Sequence, residues 1–283
     1  MKDDEDDLFG SFKDLFGNKG SKLFEDIFGN IPGSEDKPED EPENEPETRK
    51  EALLRTFRIE VDNGDIVYLE DVVVRYSHEV SEQSDTPLFK AHALASIYVN
   101  NYPVAYSSLT KLNKPSLREK ELMGIVANLL EKYDESITHI YGTEMTSPLS
   151  RVALSLSLYN QFQISPGTHE SILEPLTEES AAANTIVGVL YFNSGDIDDA
   201  DIYFTRAAEL SPKSSSIRLN ELRTRYKRGM QSEVFASLNP FYTETGCSLS
   251  ADEIIAELDK DEIKLPELQI RGRLYDVARS LMR

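Results

Sequence analysis

Four histidines, one cysteine and a run of arginines are the side chains with chemistry to offer in this 283-residue chain. His78, His92, His139 and His169 stand singly. None has a second histidine or cysteine three or four residues away on one helical face, the pairing that would mark a metal centre. Cys247 is the only cysteine, so no intramolecular disulfide is possible, and with no histidine near it in sequence an inert thiol is expected. Gly-rich phosphate loops and a Gly-x-Ser-x-Gly nucleophile elbow are absent. Carboxylates are too numerous for any pair to be informative. The expectation is a non-enzyme with no catalytic residue, no cofactor and no metal.

Binding chemistry is better represented. The stretch IRLNELRTRYKRG carries Arg218, Arg223, Arg225, Lys227 and Arg228 against Glu221 alone, in a chain of net charge −21 and pI near 4.6. Arginine and lysine beside Tyr226 suit an acidic, aromatic peptide. The alternative is the solvated basic face of one amphipathic helix. The overall acidity argues against direct binding of nucleic acid or anionic membranes. No window supplies the roughly eighteen apolar residues of a membrane span. The acidic opening lacks the basic-then-apolar pattern of a secretory signal, so a soluble cytoplasmic protein is expected.

The elements that must position these residues fall in three zones. Residues 1–31 hold three related words, DDLFG, KDLFG and EDIFG. Residues 32–48 alternate proline with carboxylates and read as an extended spacer. From Met1 to Glu51 there are 17 acidic and 7 basic residues, so almost half the net charge lies in the first fifth of the chain. Residues 49–283 are globular in composition.

Within the third zone, residues 181–214 place Gly188, Tyr191, Gly195, Ala200, Phe204, Ala207 and Pro212 at offsets that fit two helices. Gly188 and Ala200 permit close approach of the helices, Gly195 takes the positive φ of the turn, and Pro212 ends the unit. This stretch resembles the tetratricopeptide repeat, a 34-residue helix-turn-helix unit, and departs from it at the first aromatic position, Asn184. One such unit cannot bury its own apolar faces, so neighbours are expected. Weaker copies are found around Gly229, Val234, Leu238 and Phe241, around Ala105 and Leu109, and around Gly124, Ser136 and Ile140. Residues 147–180 are helical by periodicity but lack the small residues. A last pair from about Ala251 to Met282 caps the array. Residues 57–76 carry a rival signal for a β-hairpin at Asn63-Gly64, while Leu69, Val73 and Tyr76 keep helical spacing.

The resemblance implies an all-α, right-handed solenoid of six or seven hairpins whose first helices line a peptide groove. By that analogy the groove residues are Arg151, Ser155 and Tyr159, then Thr185, Val189, Phe192 and Asn193, then Leu219, Arg223, Tyr226 and Lys227. Leu94, Ser155 and Ile186 stand where the family's two-carboxylate clamp requires asparagine, so a chaperone-tail clamp is not expected.

The N-terminal words have apolar side chains at helical spacing: Leu8, Phe9, Phe12, Leu15 and Phe16, then Leu23, Phe24, Ile27, Phe28 and Ile31. Gly10, Gly17 and Gly29 weaken either helix, so a disordered tail that folds on contact is expected. It reads as a multivalent recruitment element, as a ligand for the chain's own groove, or as a plain solubiliser, and a membrane-surface anchor is disfavoured because anionic lipids repel its acidic face. Together these features predict a protein–protein interaction adaptor or scaffold. The alternatives are a regulatory subunit of an enzyme complex, with the tail as its modulating segment, and an acidic mimic of nucleic acid.

Overall fold

The computed structural model describes residues 48–64, 66–162, 165–265 and 274–282. These form fourteen α-helices and one turn of 3-10 helix, with no strand among the described residues. In chain order they are α1 (Arg49–Asn63), α2 (Ile66–Glu82), α3 (Thr86–Tyr98), α4 (Tyr102–Leu109), α5 (Leu117–Leu129), α6 (Tyr133–Ile140) and α7 (Pro148–Asn160). Then follow α8 (Pro166–Leu173), α9 (Ala181–Ser194), α10 (Ile197–Leu210), α11 (Ser215–Lys227), α12 (Gln231–Thr245), α13 (Ala251–Leu258) and α14 (Leu274–Leu281). The segment with the hairpin signal is helical. Leu69 and Val73 on α2 are fully buried, and Gly64 supplies a left-handed turn (φ 72°) between α1 and α2.

A repeat in the backbone explains most of the order. Helices α3, α5, α7, α9 and α11 begin at Thr86, Leu117, Pro148, Ala181 and Ser215, at intervals of 31, 31, 33 and 34 residues. Each packs on the helix that follows it. Four of the starts are set by side-chain caps: Asp85 accepts from the Leu88 amide, Ser116 forms a capping box with Glu119, Ser147 accepts from the Leu149 amide, and Ser180 accepts from the Ala183 amide. Each hairpin turn holds one left-handed residue, namely Asn100, Glu131, Phe162, Gly195 and Gly229. In the four hairpins whose next residue is described, its amide reaches back to the carbonyl five residues earlier: Asn101 to Ser96, Lys132 to Ala127, Asp196 to Tyr191 and Met230 to Arg225, at 2.8–3.0 Å.

The same register runs through the interior. Seven residues after each start lie Ala93, Gly124, Ser155, Gly188 and Leu222, all buried. A Cβ added at Gly188 would stand 2.9 Å from the Phe204 ring, and one at Gly124 only 2.3 Å from Ile140. These glycines are therefore points of close approach between partner helices. In the α7–α8 hairpin the corresponding position is Ser155, which lies 2.7 Å from Nδ1 of His169, both residues fully buried. A hydrogen-bonded pair fills the space that glycine closes in the α5–α6 and α9–α10 hairpins.

The last two helices part company. Instead of pairing as a terminal hairpin, α13 packs on α11, while α14 packs on α3 and α5 near the other end of the described chain. Leu274, Ala278 and Leu281 of α14 join the buried cluster of α1–α7, and Tyr275 meets Tyr98 edge-on at 5.0 Å.

Candidate functional site

The residues that the repeat resemblance assigns to a groove fall into two groups. Arg151 donates to the Ile172 carbonyl (3.0 Å), Thr185 to the Ala181 carbonyl (2.8 Å), and Ser155 is the buried partner of His169. Tyr159 is half-buried against the cluster of Val152, Leu156 and Leu190, and Tyr226 and Leu219 against that of Leu222 and Phe241. These side chains work within and between neighbouring helices.

The second group gathers on one segment, Asp259–Leu265, which runs on from α13 without regular secondary structure. Asn193, at the end of α9, donates through Nδ2 to the Ile263 carbonyl (2.8 Å) and accepts through Oδ1 from the Ile263 amide (2.9 Å). A carboxamide offers one donor and one acceptor side by side, so it pairs with both main-chain groups of one residue as an adjacent strand would. Lys227 donates to the Asp259 carbonyl and to Asp261 Oδ1, each at 2.7 Å. From Glu262 to Leu265 exposure alternates, with Glu262 and Lys264 exposed and Ile263 and Leu265 half-buried, as in an extended chain. Ile263 and Leu265 pack beside Val189, Phe192, Ala200 and Phe204, and Leu265 also touches the cluster that holds Tyr159.

Arg223 secures the upstream end. It is only 3% exposed and donates to the Glu257 carbonyl (2.7 Å), Glu257 Oε2 (3.2 Å) and Asn220 Oδ1 (2.6 Å). Burial lowers its pKa and the Glu257 carboxylate opposes that shift. The guanidinium thus ties down the C-terminal end of α13, where the helix dipole favours a cation.

The rest of the basic run is paired as well. Arg218 and Arg225 both bind Glu221 at 2.6 Å, and Arg228 binds Asp198 and Asp201 of α10 at 3.0 and 2.6 Å. The stretch that looks basic in isolation is neutralised by its own Glu221 and by carboxylates from α10, α13 and the segment beyond it. A sequence window misses this because most of those partners lie about one repeat away.

Other titratable side chains are held by neighbours. Glu170 accepts from the Tyr191 hydroxyl (2.7 Å) and from Tyr203, joining α8 to the α9–α10 pair. That hydrogen bond pushes the Tyr191 phenol up to about 12. Buried Glu121 accepts from the amides of Thr146 and Ser147 and from the Ser150 hydroxyl, capping α7. Among the described residues no group of three or more His, Cys, Asp or Glu is placed to hold a metal ion, and no helix is long and apolar enough to cross a membrane. The tail residues Leu8, Phe9, Phe12, Leu15, Phe16, Ile27 and Phe28 lie outside the described residues.

No protein-family model and no curated protein matches the chain.

Proposed function

We propose that the protein is a non-catalytic, cytoplasmic adaptor of the tetratricopeptide-repeat class, which holds peptide segments along its longer helices and recruits partners through its acidic N-terminal words. The repeated helix register, at intervals of 31 to 34 residues, supports the repeat reading. The observation that carries the binding role is Asn193, whose amide holds both main-chain groups of Ile263. A surface that grips an extended backbone, with Lys227 beside it for a carboxylate and Val189 and Phe192 for aliphatic side chains, has the chemistry of peptide recognition. Partners are protein segments that are acidic and apolar by turns.

Deleting residues 1–31 tests the recruiting role. Far-UV circular dichroism per remaining folded residue is expected to stay unchanged, while a protein that the full chain retains on an affinity support is no longer captured. Loss of the helical signal on deletion would make the tail part of the fold and defeat the reading.

A further inference from the structure

The segment from Asp259 to Leu265 has the attributes of a ligand. The hydrogen bonds to its central residue go to main-chain atoms alone, through Asn193, so this part of the contact does not require isoleucine there. Selectivity falls on three alternate side chains: Asp261 against Lys227, Ile263 on the cluster of Val189, Phe192, Ala200 and Phe204, and Leu265 on that cluster and on the one that holds Leu156 and Leu190. The attachments on either side are of another kind. Arg223 fixes the end of α13 upstream, and α14 is buried against α3 and α5 downstream. Lifting the segment breaks the Asn193 pair, the Lys227 bond to the Asp259 carbonyl, the packing of half-buried Ile263 and Leu265, and an ion pair whose Asp261 side chain is 97% exposed. It leaves α13 and α14 in place.

We infer that the Asn193–Lys227 surface is a binding site for extended peptides with an acidic residue two places before, and an aliphatic residue two places after, a central aliphatic one, and that residues 259–265 occupy it in cis as an exchangeable strap. This rests on the peptide-binding reading above and names its site and ligand. The occupant is a protein segment of this acidic–x–aliphatic–x–aliphatic pattern. It is in competition with a strap tethered at both ends, which enjoys a high effective concentration. The site therefore admits only ligands that are tight or multivalent. Half of the pattern recurs in the chain's own first and third words, Asp6–Leu8 and Glu25–Ile27, whereas the second word has Lys13 at the acidic place.

The test uses the full chain and a fluorescein-labelled peptide of residues 259–265, with binding read by anisotropy. In a variant whose own strap is weakened by Ile263→Gly and Leu265→Gly, the peptide is expected to bind at least ten-fold tighter than to the unaltered chain. Asn193→Asp keeps the side-chain shape, removes the donor and is expected to cost ten-fold or more in the weakened background. Circular dichroism and the urea midpoint of each variant verify that it is folded. A folded, strap-weakened chain that does not bind the peptide overturns the inference. So does equal affinity in the two chains, or affinity indifferent to Asn193→Asp. Any of these makes the segment a fixed structural staple. The deletion of residues 1–31 reads a different part of the molecule, so the adaptor reading can fail or stand independently of this result.

Discussion

In the α9–α10 hairpin the partner helices meet where a side chain is missing, with Gly188 against the Phe204 ring. In the α7–α8 hairpin the same register position carries Ser155, and a buried hydrogen bond to His169 takes up the space. The two turns differ in the same sense. Gly195 adopts φ 92° at no steric cost, whereas Phe162 adopts φ 62° with its ring 89% exposed. One backbone geometry is thus reached through close approach with a relaxed turn, and again through a polar pair with a strained one. The repeat is enforced by the spacing of its helices rather than by any one residue type.

A side chain at position 188 would fill the gap between α9 and α10. Gly188→Val is expected to destabilise the fold by about 3 kcal/mol in urea denaturation, because the Phe204 ring is fully buried and has nowhere to move. A loss below about 1 kcal/mol would mean that the helices do not meet at this point.

The polar hairpin gives the next largest effect. His169→Ala is expected to cost about 2 kcal/mol, since it leaves the buried Ser155 hydroxyl without this partner. Combining it with Ser155→Gly rebuilds the glycine–alanine solution of α9–α10. The double variant should then be less destabilised than the sum of the singles by about 1 kcal/mol. Strict additivity would show that the two residues do not act as a pair.

A related polar contact links stability to pH. His92 on α3 is 1% exposed, with Nε2 donating to the Val73 carbonyl (3.0 Å) and Nδ1 accepting from Ser108 (2.8 Å). Burial holds its pKa below the ordinary value of 6.5. As pH falls through that value, the unfolded chain takes up the proton first, so stability is lost on acidification. Between pH 7.5 and 5.5 the share due to this histidine is at most about 1.4 kcal/mol. The pH dependence of the urea midpoint should shrink by that share in His92→Gln, and an identical dependence in both proteins would exclude His92 as its source.

The turns give the smallest change and the one of opposite sign. Phe162→Gly is expected to stabilise by about 1 kcal/mol, by relieving the left-handed residue of its side chain, while Gly195→Ala costs about as much. Thermal denaturation of the two variants reads this directly, and a destabilising Phe162→Gly would show that the exposed ring makes a contact worth more than the strain.

This contrast also sets how much was legible in the sequence. Gly188, Ala200 and Gly195 announce a helix pair, because small residues and a turn glycine have few other uses in an amphipathic pattern. Ser155 and His169 give no such sign, since an isolated polar pair reads equally as surface or as site. Asn100, Glu131 and Phe162 occupy turn positions that only glycine advertises. Asn184 stands in place of the expected aromatic because its amide donates to the Thr177 and Ser180 carbonyls. The basic character of Arg218–Arg228 was plain, but not its neutralisation, because Lys227 and Asp261 are 34 residues apart. Asn193, Arg223 and Lys227 were selected by repeat position. That they converge on the C-terminal segment had no local signal, as Ile263 and Leu265 form an aliphatic pair too short to show a period.

Native-state hydrogen exchange at the Ile263 amide, which donates to Asn193 Oδ1, tests the exchangeable strap most directly. This amide is expected to exchange through a local opening several kcal/mol below the global unfolding free energy, with little dependence on low urea concentrations, while the Leu190 amide within α9 exchanges only on global unfolding. Identical opening energies and urea dependence at the two sites would contradict it and make the strap an inseparable part of the core.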